Sequence, residues 1–223
     1  MVENWEEFLD PYIQTVGELK IKLRGVRKQF RKQKLHSPIE FVTGRVKSVE
    51  SIKEKMIVRS ISEENLATDM QDIAGLRIMV QFVDDIYEVL ELLRNRKDMN
   101  IVIERDYINH KKESGYRSYH VIVEYPVETI TGQKKVLAEI QIRTLAMNFW
   151  ATIEHSLNYK YKGEFPDQIK ERLEITARIA FQLDEEMRKI RDDIREAQLL
   201  FDSETRKLND GVGNSDDTDE LYR

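Results

Sequence analysis

Apolar residues at the start of the chain recur at helical spacing. Trp5, Phe8, Leu9, Tyr12, Ile13, Val16, Leu19, Leu23, Val26 and Phe30 fall on one face of a long amphipathic helix. The outer face of its second half is basic, and His36-Ser37-Pro38 breaks it. A second helix is predicted after Arg45, running through Lys55. The period then changes to two. Leu76, Ile78, Val80 and Phe82 alternate along a predicted strand. Asp84 caps a short helix carrying Ile86, Val89, Leu90 and Leu93. Another strand falls near Ile101 to Tyr107. Tyr119, Val121, Val123 and Tyr125 alternate in a further strand, which Pro126 closes. Thr131-Gly132 marks a turn, so this strand and the next form a hairpin. In that next strand Val136, Ala138, Ile140 and Ile142 make one face, and Leu137, Glu139, Gln141 and Arg143 the other.

From Thr144 the period is helical again, to about Tyr161, and Pro166 opens a last helix. Along it Ile169, Leu173, Thr176, Ala180, Leu183, Met187, Ile190, Ile194, Ala197 and Phe201 step alternately by four and three. This heptad-like seam is longer than a domain of this size needs for its own core, and it predicts a homo-oligomer. From Asn209 the chain is rich in Gly, Asn, Ser and Asp, and 209–223 reads as a disordered tail. The order of elements gives an α+β fold with a mixed sheet. It makes one domain over 1–208, with a core over about 37–162 and a C-terminal helix over about 166–208.

Composition narrows the classes. A chain of 223 residues, 40% hydrophobic and 35% charged, is long enough for one real core under a highly charged surface. The net charge of −5 argues against a general nucleic-acid binder. That average hides a basic run: Lys20, Lys22, Arg24, Arg27, Lys28, Arg31, Lys32 and Lys34 have no acid between them. The absence of cysteine excludes disulfides, thiol nucleophiles and Cys-ligated metals. No apolar run approaches the ~20 residues that span a bilayer. The N-terminus is acidic and shows no signal-peptide pattern, so a cytoplasmic protein without membrane contact is expected.

Four stretches carry chemistry. In Lys111-Lys112-Glu113-Ser114-Gly115-Tyr116-Arg117-Ser118-Tyr119-His120, cations, a glycine, an aromatic ring and a histidine meet at the entrance to a strand. Glycine permits close backbone approach to a ligand, the ring can stack on a base, and the lysines can meet phosphates. A solvated loop is the plainer reading. Glu139, Gln141 and Arg143 share one strand face, as an ordinary half-exposed strand also would. Asp72-Ile73-Ala74-Gly75-Leu76-Arg77 opens an earlier strand. If the two strands are neighbours, Asp72 and Glu139 converge, and two hard carboxylates suit Mg²⁺ carrying substrate phosphates. Otherwise they are surface acids in salt bridges. Arg45, Lys47, Ser51 and Lys55 make a candidate triphosphate clamp, Ser51 and Lys55 sharing a helix face. No GxxxxGK[ST] loop is present, and the four histidines lack HExxH spacing.

In this order these stretches, together with Trp150-Ala151-Thr152-Ile153-Glu154-His155, resemble RelA/SpoT-type (p)ppGpp synthetases. The similarity is greatest to the small RelQ-type class and covers roughly Ser37 to Lys162. The family's hydrolase His-Asp pair is absent. The resemblance implies a nucleotidyltransferase-like mixed β-sheet flanked by helices, with long N- and C-terminal helices. It implies a synthetase-only GTP pyrophosphokinase that moves pyrophosphate from ATP to the 3′-hydroxyl of GTP or GDP with Mg²⁺. By motif position, Arg45, Lys47, Ser51, Lys55, Arg77 and Arg105 would hold ATP. Asp72 and Glu139 would be the catalytic and metal-binding carboxylates. Lys112, Tyr116, His120, Gln141, Arg143 and Asn148 would hold the guanine nucleotide. The resemblance further implies a homotetramer whose subunit cleft, built from Lys20, Arg24, Arg27, Glu40, Phe41, Thr43 and Asn148, binds pppGpp as an activator. Lys20, Arg24 and Arg27 line one helix face, so single-stranded RNA is a rival ligand for that patch. A tRNA 3′ end as acceptor, or an RNA-binding protein without catalysis, are the alternative functions.

Overall fold

The computed structural model describes residues 4–161, 163 and 165–212, side chains excepted at 159, 160 and 204–212. The chain divides into two units, Met1–Asp184 and Glu185–Arg223. In the first unit, helix α1 (Trp5–Lys32) is capped by Asn4, whose Oδ1 accepts from the amides of Glu6 and Glu7. Its buried stripe, Tyr12, Val16, Leu19 and Leu23, keeps the predicted spacing. Strand β1 (Phe41–Val46), helix α2 (Val49–Arg59), the single turn α3 (Leu66–Asp69) and strand β2 (Ala74–Val80) follow. Then come α4 (Val83–Arg94), β3 (Asn100–Asp106), β4 (Tyr119–Thr129), β5 (Gly132–Thr144), α5 (Leu145–Lys160) and the start of α6 (Asp167–Val212).

The strands form one mixed sheet in the order β1-β2-β5-β4-β3. Only β2 and β5 run parallel. One face, with Leu76, Ile78, Val121, Val123, Ile140 and Ile142 buried, joins the apolar stripes of α1 and α4 in the main core. Among the described residues no helix is long and apolar enough to cross a membrane.

Four sequence expectations need correction. Arg45 does not precede a helix directly; it lies on β1, an edge strand, and α2 starts after Ser48, whose Oγ accepts from the Ser51 amide. Asp84 is not the cap of α4. Asp85 Oδ2 accepts from the Phe82 amide at 3.1 Å, and Asp85 Oδ1 meets His36 Nε2 at 2.8 Å. Pro126 does not end β4, which continues to Thr129. Pairing with β3 stops at Glu124, so Pro126 has a ladder partner on one side only, where a missing N–H is tolerated. Residues 209–212 continue α6 rather than beginning a tail; the rest of that expectation, 213–223, lies outside the described residues.

A polar lock ties α1 to the sheet. The Tyr125 ring is 1% exposed, and its hydroxyl donates to Glu18 Oε2 at 2.5 Å and accepts from Lys22 Nζ at 2.6 Å. Tyr125→Phe keeps the packing and removes both bonds. Loss of about 1–2 kcal/mol of stability is expected, because both partners are charged but reachable by water. Urea denaturation checks it, with an unchanged midpoint counting against the lock.

The second unit is helical in its described part. Its exposed apolar side chains include Met187, Ile190, Ile194 and Phe201. Arg188 pairs with Glu185 and Asp192, and Lys189 with Glu186. Exposed pairs of this kind add little stability.

Candidate active site

Strand register brings the candidate residues to one face of the sheet. Thr43 pairs with Arg77, Arg77 with Gln141, Gln141 with His120, and His120 with Arg105. Residues directly opposite across strands share a face. One row of polar side chains therefore crosses all the strands. The adjacent row reads Arg45, Gly75, Glu139. Gly75 has no side chain to stand between Arg45 and Glu139, which leaves an open floor. Thr43, Arg45, Lys47, Asp72, Arg77, Glu139 and Gln141 line a cleft of about 230 Å³ there.

Asp72 sits just before β2 at one end of this floor. Its Oδ2 accepts from Lys55 Nζ at 2.7 Å and lies 3.1 Å from Lys47 Nζ. Its Oδ1 is buried without a protein partner. Burial by itself would raise the Asp72 pKa. The Lys55 hydrogen bond and the charges of Lys47 and Lys55 outweigh it and hold the carboxyl below its ordinary range. Ser51 is reached from Ser48, Oγ to Oγ at 3.2 Å. Arg105 is not among the residues lining the cleft; its guanidinium donates to Gln71 Oε1 at 2.8 Å, beside Asp72.

Glu139 is held from two sides. Its Oε1 meets His120 Nδ1 at 3.0 Å, and its Oε2 accepts from Gln141 Nε2 at 2.7 Å. Burial pushes its pKa up, as does the Asp72 charge. The His120 contact and the Gln141 bond prevail, so Glu139 lies below the ordinary carboxylate value and is ionised near neutrality. His120 Nε2 lies 2.8 Å from the Tyr116 hydroxyl, which accepts from Arg143. A proton on His120 Nδ1 makes every bond in this chain consistent. Arg143, almost fully buried, also donates to Gln141 Oε1 and Ser118 Oγ. Arg77 Nε donates to the same Gln141 oxygen at 3.2 Å. Burial first, then the charges of Arg143 and Arg45, lowers the Arg77 pKa.

Lys112 Nζ lies 5.0 Å from the Tyr107 ring centroid and 5.1 Å from that of Tyr116. Tyr107 also meets His120 edge-on at 5.1 Å. Tyr107 and Gln71 were missed in the sequence. Tyr107 lies just past the end of β3 and Gln71 just before the Asp72–Arg77 stretch; neither residue signals a site by itself, and only the fold brings it there. Asn148, on α5, has a buried Oδ1 without a protein partner.

The segment expected to be regulatory lies along α1 and β1. Arg27 pairs with Glu40 at 3.0 Å, and Arg24 donates to the Val42 carbonyl at 3.1 Å. Glu40 therefore sits opposite this basic face. A Cβ on Gly44 would lie 3.2 Å from Lys20 Cδ, so Lys20 runs over β1. Phe41 is 41% exposed at the start of that strand, and Thr43 faces the cleft. Asn148 stands on a different element.

Comparison with known proteins agrees with this geometry. GTP pyrophosphokinase YjbM of Bacillus subtilis is 60% identical over 199 residues, 89% of this chain and 94% of its own length. A GTP pyrophosphokinase family protein from Streptococcus pneumoniae superimposes with a TM-score of 0.83 at 74% identity, covering 90% of this chain and 98% of that one. Small alarmone synthetase 1 of Bacillus subtilis, solved bound to its product pppGpp, gives a TM-score of 0.82 at 60% identity over 85% of this chain and 97% of that one. The region found in RelA/SpoT proteins matches residues 44–164, more than half of the chain and every cleft residue just described except Thr43, and the protein belongs to that family.

Proposed function

We propose that the chain is a synthetase-only GTP pyrophosphokinase. It moves the β,γ-pyrophosphate of ATP to the 3′-hydroxyl of GTP or GDP and yields AMP with pppGpp or ppGpp. The observation that carries this reading is the single polar sheet face. It sets Asp72, Glu139 and a line of cations around one open floor. The names of the relatives, and the product bound in one of them, point the same way.

Arg45, Lys47, Lys55 and Arg77 bring positive charge to the end of the cleft nearest Asp72, where ATP phosphates would lie. Ser51 and Arg105 extend that set. Tyr116, with Lys112, Gln141 and Arg143 around it, is the guanine side, to which Asn148 is assigned by motif position; a base stacks there by displacing a cation from the ring. The 3′ oxygen attacks the β-phosphorus, the bond from that phosphorus to the oxygen bridging to Pα breaks, and AMP leaves with that oxygen. The hydroxyl proton passes to Glu139, which the His120 and Gln141 contacts keep ionised and aimed. Such transfer needs alignment and charge neutralisation more than a covalent nucleophile.

The residues fit Mg²⁺. Asp72 offers a buried oxygen with no protein partner, and Glu139 lines the same cleft. Asp72 would hold the ion with Glu139 in reach, and the ion supplies positive charge to phosphate oxygens. Both Glu139 oxygens are engaged and one Asp72 oxygen is not, which favours Glu139 as base and Asp72 as ligand.

Incubation with ATP, Mg²⁺ and each guanine nucleotide tests the reading. One AMP per pppGpp or ppGpp is expected. Nucleotide hydrolysis without a 3′-pyrophosphorylated guanosine excludes it.

We further propose a homotetramer with pppGpp bound along α1 and β1 as an activator. Leu145, Phe149, Ile153 and Leu157 form an exposed apolar stripe on α5, and α6 carries exposed Ile179 and Leu183. Stripes of this length on a folded surface are interfaces more often than not. Light scattering reports the subunit number. Stimulation of wild type but not of a Lys20→Ala, Arg24→Ala variant places the activator; equal stimulation displaces it, and competition by single-stranded RNA would assign the patch to both ligands.

A further inference from the structure

The loop between β3 and β4 carries Lys112 and Tyr116, and Lys111 Nζ donates to Glu174 Oε1 of α6 at 3.1 Å. The Gly115 amide donates to the Lys112 carbonyl at 2.8 Å, and the Lys112 amide to the Tyr116 carbonyl at 3.3 Å. The loop rests against the first half of α6. Gly115 has φ +83°, and a Cβ there would lie 2.6 Å from Ala177 Cβ, closer than carbons approach. The Arg117 guanidinium stacks 3.9 Å from the Phe181 ring centroid, with its Nε buried and without a hydrogen-bond partner. Tyr116 packs against the small cluster of Trp150, Ala151 and Ala177. The helix itself is pinned. Trp150 Nε1 donates to the Leu173 carbonyl at 3.2 Å and to Thr176 Oγ1 at 3.0 Å. Thr144 Oγ1 donates to Asp184 Oδ2 at 2.6 Å.

We propose that the first half of α6 sets the position of the acceptor-nucleotide loop, with Ala177 and Phe181 as positioning residues. This rests on the reading that Lys112 and Tyr116 hold the guanine nucleotide. Ala177 is the wall against which Gly115 closes, so its small size fixes how near the loop comes to the helix. Phe181 holds Arg117, the next residue after Tyr116, through ring stacking. Neither residue touches a reacting atom; both act through the backbone that carries Tyr116. The cations assigned to ATP sit on β1, on α2 and its leading turn, on β2 and, for Arg105, on β3, and none of them makes any of these contacts with α6. Displacing the loop therefore impairs one substrate and spares the other.

The test compares Ala177→Leu and Phe181→Leu with Tyr116→Ala, using KM for GTP, KM for ATP, kcat, calorimetric GTP binding and thermal midpoint. Both α6 variants are expected to raise KM for GTP about tenfold, as small misplacements of a binding group do. Their KM for ATP and their kcat at saturating GTP stay within about twofold of wild type. Equal losses for ATP and GTP, or GTP binding as in wild type, overturn the proposal. Tyr116→Ala separates the two readings. If it leaves GTP affinity unchanged, the guanine assignment of the loop fails. If it weakens GTP binding while both α6 variants bind normally, only the role of α6 fails. Should added bulk prevent Ala177→Leu from folding, Phe181→Leu carries the test, since it removes the stacking and adds no volume.

Discussion

Glu139→Gln is expected to leave a folded protein that binds both nucleotides and turns over about 10²–10⁴ times more slowly, the usual contribution of a positioned general base. The substitution keeps the shape of the side chain. The new amide can still accept from His120 or Gln141, so the wall of the cleft survives. What it loses is basicity at the point where the 3′-hydroxyl must shed its proton. The environment of Glu139 is built for that role. Burial and the Asp72 charge oppose ionisation, yet the contacts from His120 and Gln141 hold its pKa below the ordinary carboxylate value. Initial rates of pppGpp formation at saturating ATP and GTP measure the effect. Raising Mg²⁺ should not restore the rate, because no metal concentration replaces a missing proton acceptor. Near-wild-type turnover would remove Glu139 from the mechanism, and recovery at high Mg²⁺ would make it a ligand instead.

Much of this face was legible in the sequence, because period two is a local property. The alternation through β5 assigned Glu139, Gln141 and Arg143 to one side and Val136, Ala138, Ile140 and Ile142 to the other, and the structure keeps that partition. The convergence of Asp72 with Glu139 was conditional on two strands being neighbours. That condition is met by the parallel pair β2–β5, whose register no local pattern encodes. Strand β1 escaped detection for a physical reason. It is an edge strand in which only Val42 is fully buried, and Gly44 and Arg45 interrupt any apolar alternation. Thr43, Gly44 and Arg45 line the cleft, and only Val42 and Val46 turn to the core. The contacts of Tyr107 and Ala177 are tertiary. A tyrosine just past a strand and an alanine one position off the seam carry no signal until the fold sets one beside Lys112 and the other against Gly115. The seam on α6 was read as a device for self-association, yet its first half also packs on its own domain, through Leu173 and Ala180 beside the off-seam Ala177.

Asp72→Asn is expected to reduce turnover by about 10²–10³-fold, comparable to deleting one preorganised electrostatic contact at a reacting centre. Here, unlike Glu139→Gln, higher Mg²⁺ should recover part of the rate. The asparagine keeps an oxygen that can still ligate, with weaker affinity because the formal charge is gone. The same substitution changes stability in a way that pH reveals. Asp72 Oδ2 joins Lys55 at 2.7 Å and Lys47 at 3.1 Å, and these cations hold its folded pKa below the unfolded one. A carboxylate shifted down contributes stability above its unfolded pKa and loses it as pH falls through the folded value. Wild type should therefore lose the contribution of this cluster as pH drops through and below the ordinary carboxylate range. Asp72→Asn has no proton to take up there, so its stability curve should be flatter over that interval. Subtracting the two urea-denaturation profiles across acid pH isolates the term. Parallel profiles would show that Lys47 and Lys55 are held by something other than Asp72. In that case the two lysines would be free to leave the carboxylate for ATP phosphates without loss to the fold, and the cost of opening the clamp would have to lie elsewhere in the cleft.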